Sequence, residues 1–141
     1  MEAIVNQITS PKFFEGGKAL FTVSNPKGEH YTYKINHKKD NPLEPFFVSL
    51  LTGSDNLSDY TYLGLYVPQR KTVILTKNSK YREDTIPVKV VRWAIRKVLN
   101  NEPVPEGYSI QHEGRCCRCG RILTTPESIL HGIGPECMKK M

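Results

Sequence analysis

Hydrophobic and polar positions change their rhythm along this chain. Residues 19–23 (Ala-Leu-Phe-Thr-Val) read as a first strand after the Gly16-Gly17 turn, and the Asn25-Pro26-Lys27-Gly28 turn sends the chain into a return strand over 30–35. In that second run Tyr31, Tyr33 and Ile35 fall on one face and His30, Thr32 and Lys34 on the other, the period-two signature of a half-buried strand. Residues 46–51 give a third strand, expected to be more buried than the second. Residues 60–67, with tyrosines two apart, give a fourth, and residues 72–76 a fifth. The polar stretches 36–45 and 52–59 are expected as loops. Short connections between successive strands imply an antiparallel sheet or a small open barrel.

The period then shifts to that of a helix over about 86–99, with Thr85 as cap and Pro87 in the first turn. At 100° per residue, Val88, Val91, Ala94, Ile95, Val98 and Leu99 form an apolar arc, opposite Lys89, Arg92, Arg96 and Lys97. Trp93 falls within the basic arc. It either folds over a neighbouring loop or the sheet, or forms a contact surface with the four cations for a base or a protein partner. A stiff connector, Pro103-Val104-Pro105-Glu106-Gly107, follows.

All four cysteines lie beyond it, which points to one metal site. Cys116 and Cys119 have the Cys-x2-Cys spacing that lets a tight turn present two thiolates to a zinc ion. Gly120 supplies the positive φ that closes such a knuckle and aims backbone N–H groups at sulfur. Thr125-Pro126 has the cap and first-turn proline of a short helix ending at Gly132, and Gly134-Pro135 opens another turn or helix carrying Cys137. A knuckle followed by a ligand on a helix start follows the logic of a treble-clef-like finger. Position 140, where a fourth cysteine is usual, is Lys140, so the pattern H-x3-C-x2-C-x17-C makes His112 the leading fourth ligand. His131, Cys117, water and a residue of another chain are the alternatives.

The segment from Cys116-x-x-Cys119-Gly120-Arg121 through Leu123-Thr124, Pro126, Ser128 and Gly132-Ile133-Gly134-Pro135 to Cys137 resembles the zinc motif of a family of small proteins common in bacteriophages and mobile elements. The run from Phe47 to Gly53 and on from Asp59 to Gly64 is similar to a segment that accompanies the motif. The resemblance implies zinc binding and a phage or bacterial origin, and brings no activity with it.

The expected architecture is therefore α+β: a β-rich domain over 1–108 containing the helix, and a zinc-binding finger over 109–141 packed on it. With 141 residues the chain has room for one ordinary domain and an appendage. No apolar run approaches a bilayer span, and cysteines spaced for metal suit a reducing compartment, so a cytoplasmic protein without a membrane partner is expected. Formal charge is +6; three thiolates and one zinc would leave about +5, still a surface that attracts polyanions.

Catalytic signatures fail. Glu113 directly follows His112 and Arg115 precedes Cys116, so the deaminase pattern is not met. Asp55 and Asp59 lack the spacing of a calcium loop, and Gly132-Ile133-Gly134 has no Lys-Ser/Thr after it. The expectation is a structural zinc in a nucleic-acid-binding accessory protein, with Lys89, Arg92, Trp93, Arg96, Lys97, Arg115, Arg118 and Arg121 as the binding surface. A protein that binds and inhibits a host protein is the alternative.

Overall fold

A computed structural model describes residues 7–37, 45–54 and 58–140. Its centre is a six-stranded antiparallel sheet curved into an open half-barrel. The strands are β1 (Lys18–Ser24), β2 (His30–Asn36), β3 (Phe46–Leu51), β4 (Tyr60–Val67), β5 (Thr72–Ile74) and β6 (Ser109–His112), in the order β5-β4-β3-β2-β1-β6. Five strands form a meander. The helix α1 (Ile86–Leu99) then crosses the sheet and returns the chain to β1, where β6 pairs.

Alternation explains which side is covered. Phe21 and Val23 of β1, Tyr33 and Ile35 of β2, Val48 of β3, and Leu63 and Tyr66 of β4 are buried against Val88, Val91, Ala94, Ile95 and Val98 of α1. The helix thus buries the arc its periodicity predicts, and the chain is α+β. Two polar contacts fix the helix on the sheet: Tyr33 Oη donates to the Pro87 carbonyl at 2.7 Å and Arg92 Nε to the Val73 carbonyl at 2.8 Å. Burial raises the Tyr33 hydroxyl far above its usual pKa, so it stays a donor.

Several details differ from the sequence pattern. β5 stops at Ile74 because Thr76 begins a turn, its N–H donating to Ser79 Oγ at 2.9 Å while its carbonyl accepts from Ser79 N. Thr85 occupies the cap position of α1, yet its hydroxyl donates to the Arg82 carbonyl instead of accepting from the helix. β3 alternates, leaving Phe47 39% exposed, although its other aromatic, Phe46, is buried. A short 3-10 turn, Pro11–Glu15, inserts Phe13 and Phe14 into the core beside Phe21, in a stretch with no readable pattern.

Of the four tyrosines spaced at period two, Tyr33 is core. Tyr31, Tyr60 and Tyr62 are half-buried, and Lys34 Nζ stands 4.4 Å from the centre of the Tyr60 ring. Parts of the two expected loops, residues 38–44 and 55–57 including Asp55, lie outside the described residues. No helix among the described residues is long and apolar enough to cross a membrane.

Candidate metal centre

The strand β6 delivers the cysteine segment to one edge of the sheet. Ile110 and His112 face the core opposite Val23 and Phe21, and Glu113 N then donates to the Leu20 carbonyl. The chain doubles back around the knuckle. Leu123 N bonds the Gly114 carbonyl at 2.8 Å, Cys116 N the Arg121 carbonyl at 2.8 Å, and Gly120 N the Cys116 carbonyl at 2.9 Å. Gly120 has the positive φ, 79°, that this turn calls for.

Two short helices close the segment: α2 (Pro126–His131) and α3 (Pro135–Lys140). Thr125 caps α2 by accepting from Ser128 N, and Gly132 ends it in the left-handed conformation at φ 69°, as the sequence implies. Cys137 lies in the first turn of α3. Here the Sγ atoms of Cys116, Cys119 and Cys137 all lie within 4.8 Å of one another, a group that could hold a metal ion. A zinc tetrahedron with Zn–S of about 2.3 Å has sulfur–sulfur edges near 3.8 Å, so the trio needs only a modest contraction.

The electrostatics are those of a site prepared for a cation. Burial raises the Cys116 thiol, but N–H donation from Gly134, Cys119 and Arg118 outweighs it and brings the pKa down to about 7. Two of these donors are direct, Gly134 N at 3.2 Å and Arg118 N at 3.4 Å from Cys116 Sγ. Cys137 moves the other way, raised by burial and then by the neighbouring sulfurs. One thiolate forms readily in the trio and its charge holds the proton on its neighbour, a conflict that a bound metal cation resolves.

Cys117 is outside the group, as a residue between two chelating cysteines should be. Its thiol is buried, its pKa is pushed far up by burial and by the sulfurs of Cys116 and Cys137, and its Sγ packs where a Cβ on Gly16 would come within 2.5 Å. Its backbone is used as well. Cys117 N donates to the Gly132 carbonyl and its own carbonyl accepts from Lys18 N at 2.7 Å, tying the knuckle to the start of β1.

His112 occupies a different place from the one its spacing suggests. Strand alternation turns it inward, where it is 2% exposed with its ring near Phe13. Nδ1 accepts from Gly114 N at 2.9 Å, which leaves the proton on Nε2, and Nε2 donates to the Ile129 carbonyl at 2.5 Å. With both ring nitrogens engaged, His112 links β6 to α2 and does not join the trio. Burial lowers its pKa. His131, the second choice, is in the last turn of α2 and is not part of the close group either.

A groove of about 720 Å³ opens beside the trio. Arg118 and Arg121 line it, joined by Lys18 from β1, by Glu136, and by His37 at the end of β2. Both arginines and Lys18 are exposed. Arg115 is also exposed, with Nη1 donating to the Gly120 carbonyl. The basic arc of α1 is less free. Arg92 pairs with Glu83, Lys97 Nζ lies 3.4 Å from Glu102, and Trp93 packs half-buried against Tyr108 with ring centres 5.6 Å apart. Lys89 and Arg96 remain exposed. Lys18 and His37 carry no motif that would have marked them in the sequence; the sheet alone brings them to the knuckle.

Residues 109–141 match the model of a family of unknown function (DUF6011). No curated protein and no solved structure matches the chain.

Proposed function

We propose that the cysteine trio holds a structural zinc ion, and that the protein is a nucleic-acid-binding accessory protein of phage or mobile-element origin. Three sulfur donors on a knuckle and a helix start suit zinc by softness and by geometry. The origin rests on the resemblance of the motif. The observation that carries the nucleic-acid reading is the placement of Lys18, Arg118 and Arg121 as exposed cations around one groove. Guanidinium forks pair with phosphate oxygens in two-point contacts, and the net charge of +6 adds long-range attraction. Zinc then fixes the arginines' backbone, since Arg118 lies within the knuckle and Arg121 closes it.

Fluorescence anisotropy with short single- and double-stranded DNA and RNA, repeated across salt concentrations, tests this. Binding should weaken steeply with salt, and the double variant Arg118→Ala/Arg121→Ala should flatten the log–log slope by roughly 2, about 1 per lost phosphate contact. Absence of salt-dependent binding to every probe would remove the reading. A second reading, binding to a host protein, is favoured by the exposed apolar residues Ile122, Leu130 and Met138 of the same segment. Under that reading a host protein co-purifies with the chain from nuclease-treated lysate.

A further inference from the structure

A zinc ion in the trio, the reading on which this inference rests, has one vertex of its tetrahedron left over. We propose that His37 fills it through Nε2. His37 Nε2 is sealed from solvent and has no hydrogen-bond partner, although the ring lines the same groove as the three thiols. A buried ring nitrogen without a partner is unfavourable, and coordination to a metal is one of the few ways to satisfy it.

The ring is held in place. It stacks on Phe46 with centres 4.3 Å apart and planes 24° from parallel. Its backbone N–H donates to the Gly17 carbonyl at 3.1 Å, and the next residue, Lys18, donates to the Cys117 carbonyl. Two hydrogen bonds therefore connect the His37 main chain to the knuckle. His37 is not within the close group of thiols, so ligation draws ring and sulfurs toward a common centre.

The other donor groups near the trio fit less well. Both nitrogens of His112 are engaged, and Cys117 Sγ packs against Gly16. Glu136 lines the groove, but a fourth anion would leave the centre at net −2, whereas a neutral imidazole leaves it at −1. The consequence is architectural. The metal would join the end of β2 to the knuckle and α3, pinning the sheet and the C-terminal segment together.

The test uses the full chain with nitrogen-labelled histidine, loaded with NMR-active cadmium. One imidazole nitrogen should show through-bond coupling to cadmium. His37→Ala should lose that signal, while His112→Ala and His131→Ala keep it. Coupling that survives in His37→Ala, or its absence from the wild type with cadmium bound, overturns the assignment of His37 and leaves the trio intact. If the wild type takes up no metal, the metal reading itself fails. Because the decisive signal is read in the wild type, poor folding of a variant does not hide the answer.

Discussion

The sheet with α1 and the segment after β6 are held together by different means. The first has a continuous apolar core in which Phe14, Phe21, Tyr33, Ile35, Val48, Leu63, Val91 and Ile95 are almost wholly buried. The second buries Leu123, Ile133 and three of its cysteines, Cys116, Cys117 and Cys137, and leaves Ile122, Leu130 and Met138 in solvent. Its two helices have six residues each, far too short to persist by themselves. The core runs on into the second region through Cys116, Cys117, Leu123, Ile133 and Cys137, but that region has fewer buried apolar side chains and adds a hydrogen bond to β1, a buried histidine and a cluster of thiols. The difference teaches where a metal would matter.

Stripping the metal should give the largest effect. A structural zinc contributes on the order of 10 kcal/mol to such a module, so chelation should expose the amides of Cys117, Gly120, Leu123 and Met138 to hydrogen exchange while those of β1 to β4 stay protected. Equal loss of protection in both regions would erase the distinction. Phe21→Ala attacks the other side. Removing a ring with no solvent exposure, packed against Phe14 and Tyr33, should cost roughly 3–5 kcal/mol in denaturant unfolding, with metal content per folded chain unchanged.

Gly132→Ala probes the seam. The residue has φ 69°, and an added Cβ would come within 2.8 Å of the Phe13 ring. Left-handed strain alone is about 1–2 kcal/mol, so the melting temperature should fall by at least several degrees; no change in a thermal melt would contradict the packing described.

The smallest effect concerns pH. His112 has a pKa depressed below 6.5 by burial, so the unfolded chain takes up the proton first. Its contribution is complete above 6.5 and is lost as pH falls through the folded value. The stability difference between wild type and His112→Gln should shrink on acidification, and a difference that grows would reverse the sign of the argument.

Legibility in the sequence followed the same division. The β3, β4 and α1 boundaries and the caps at Thr125 and Gly132 were readable because period, proline and glycine act locally. β6 was not, because four residues between a proline-rich connector and a cysteine knuckle are too few to show alternation. That omission explains the displacement of His112. Spacing to the cysteines favours it as a ligand, but its place in a strand turns it into the core. The β1–β2 hairpin, encoded by its turn at 25–28, sets Lys18 beside the end of β2 and His37, but both meet the knuckle only through the pairing of β1 with β6, which no local pattern encodes. The 3-10 turn of Phe13 and Phe14 is hidden for a similar reason, since its burial depends on the sheet it caps.

The central claim is that three of the four cysteines act together on one metal ion. Native mass spectrometry of the purified chain, read alongside its Cys117→Ala and Cys119→Ser variants, tests it most directly. One zinc per chain is predicted in the wild type and in Cys117→Ala, with loss in Cys119→Ser. A metal-free wild type, or a Cys119→Ser variant that keeps its zinc, would contradict the account.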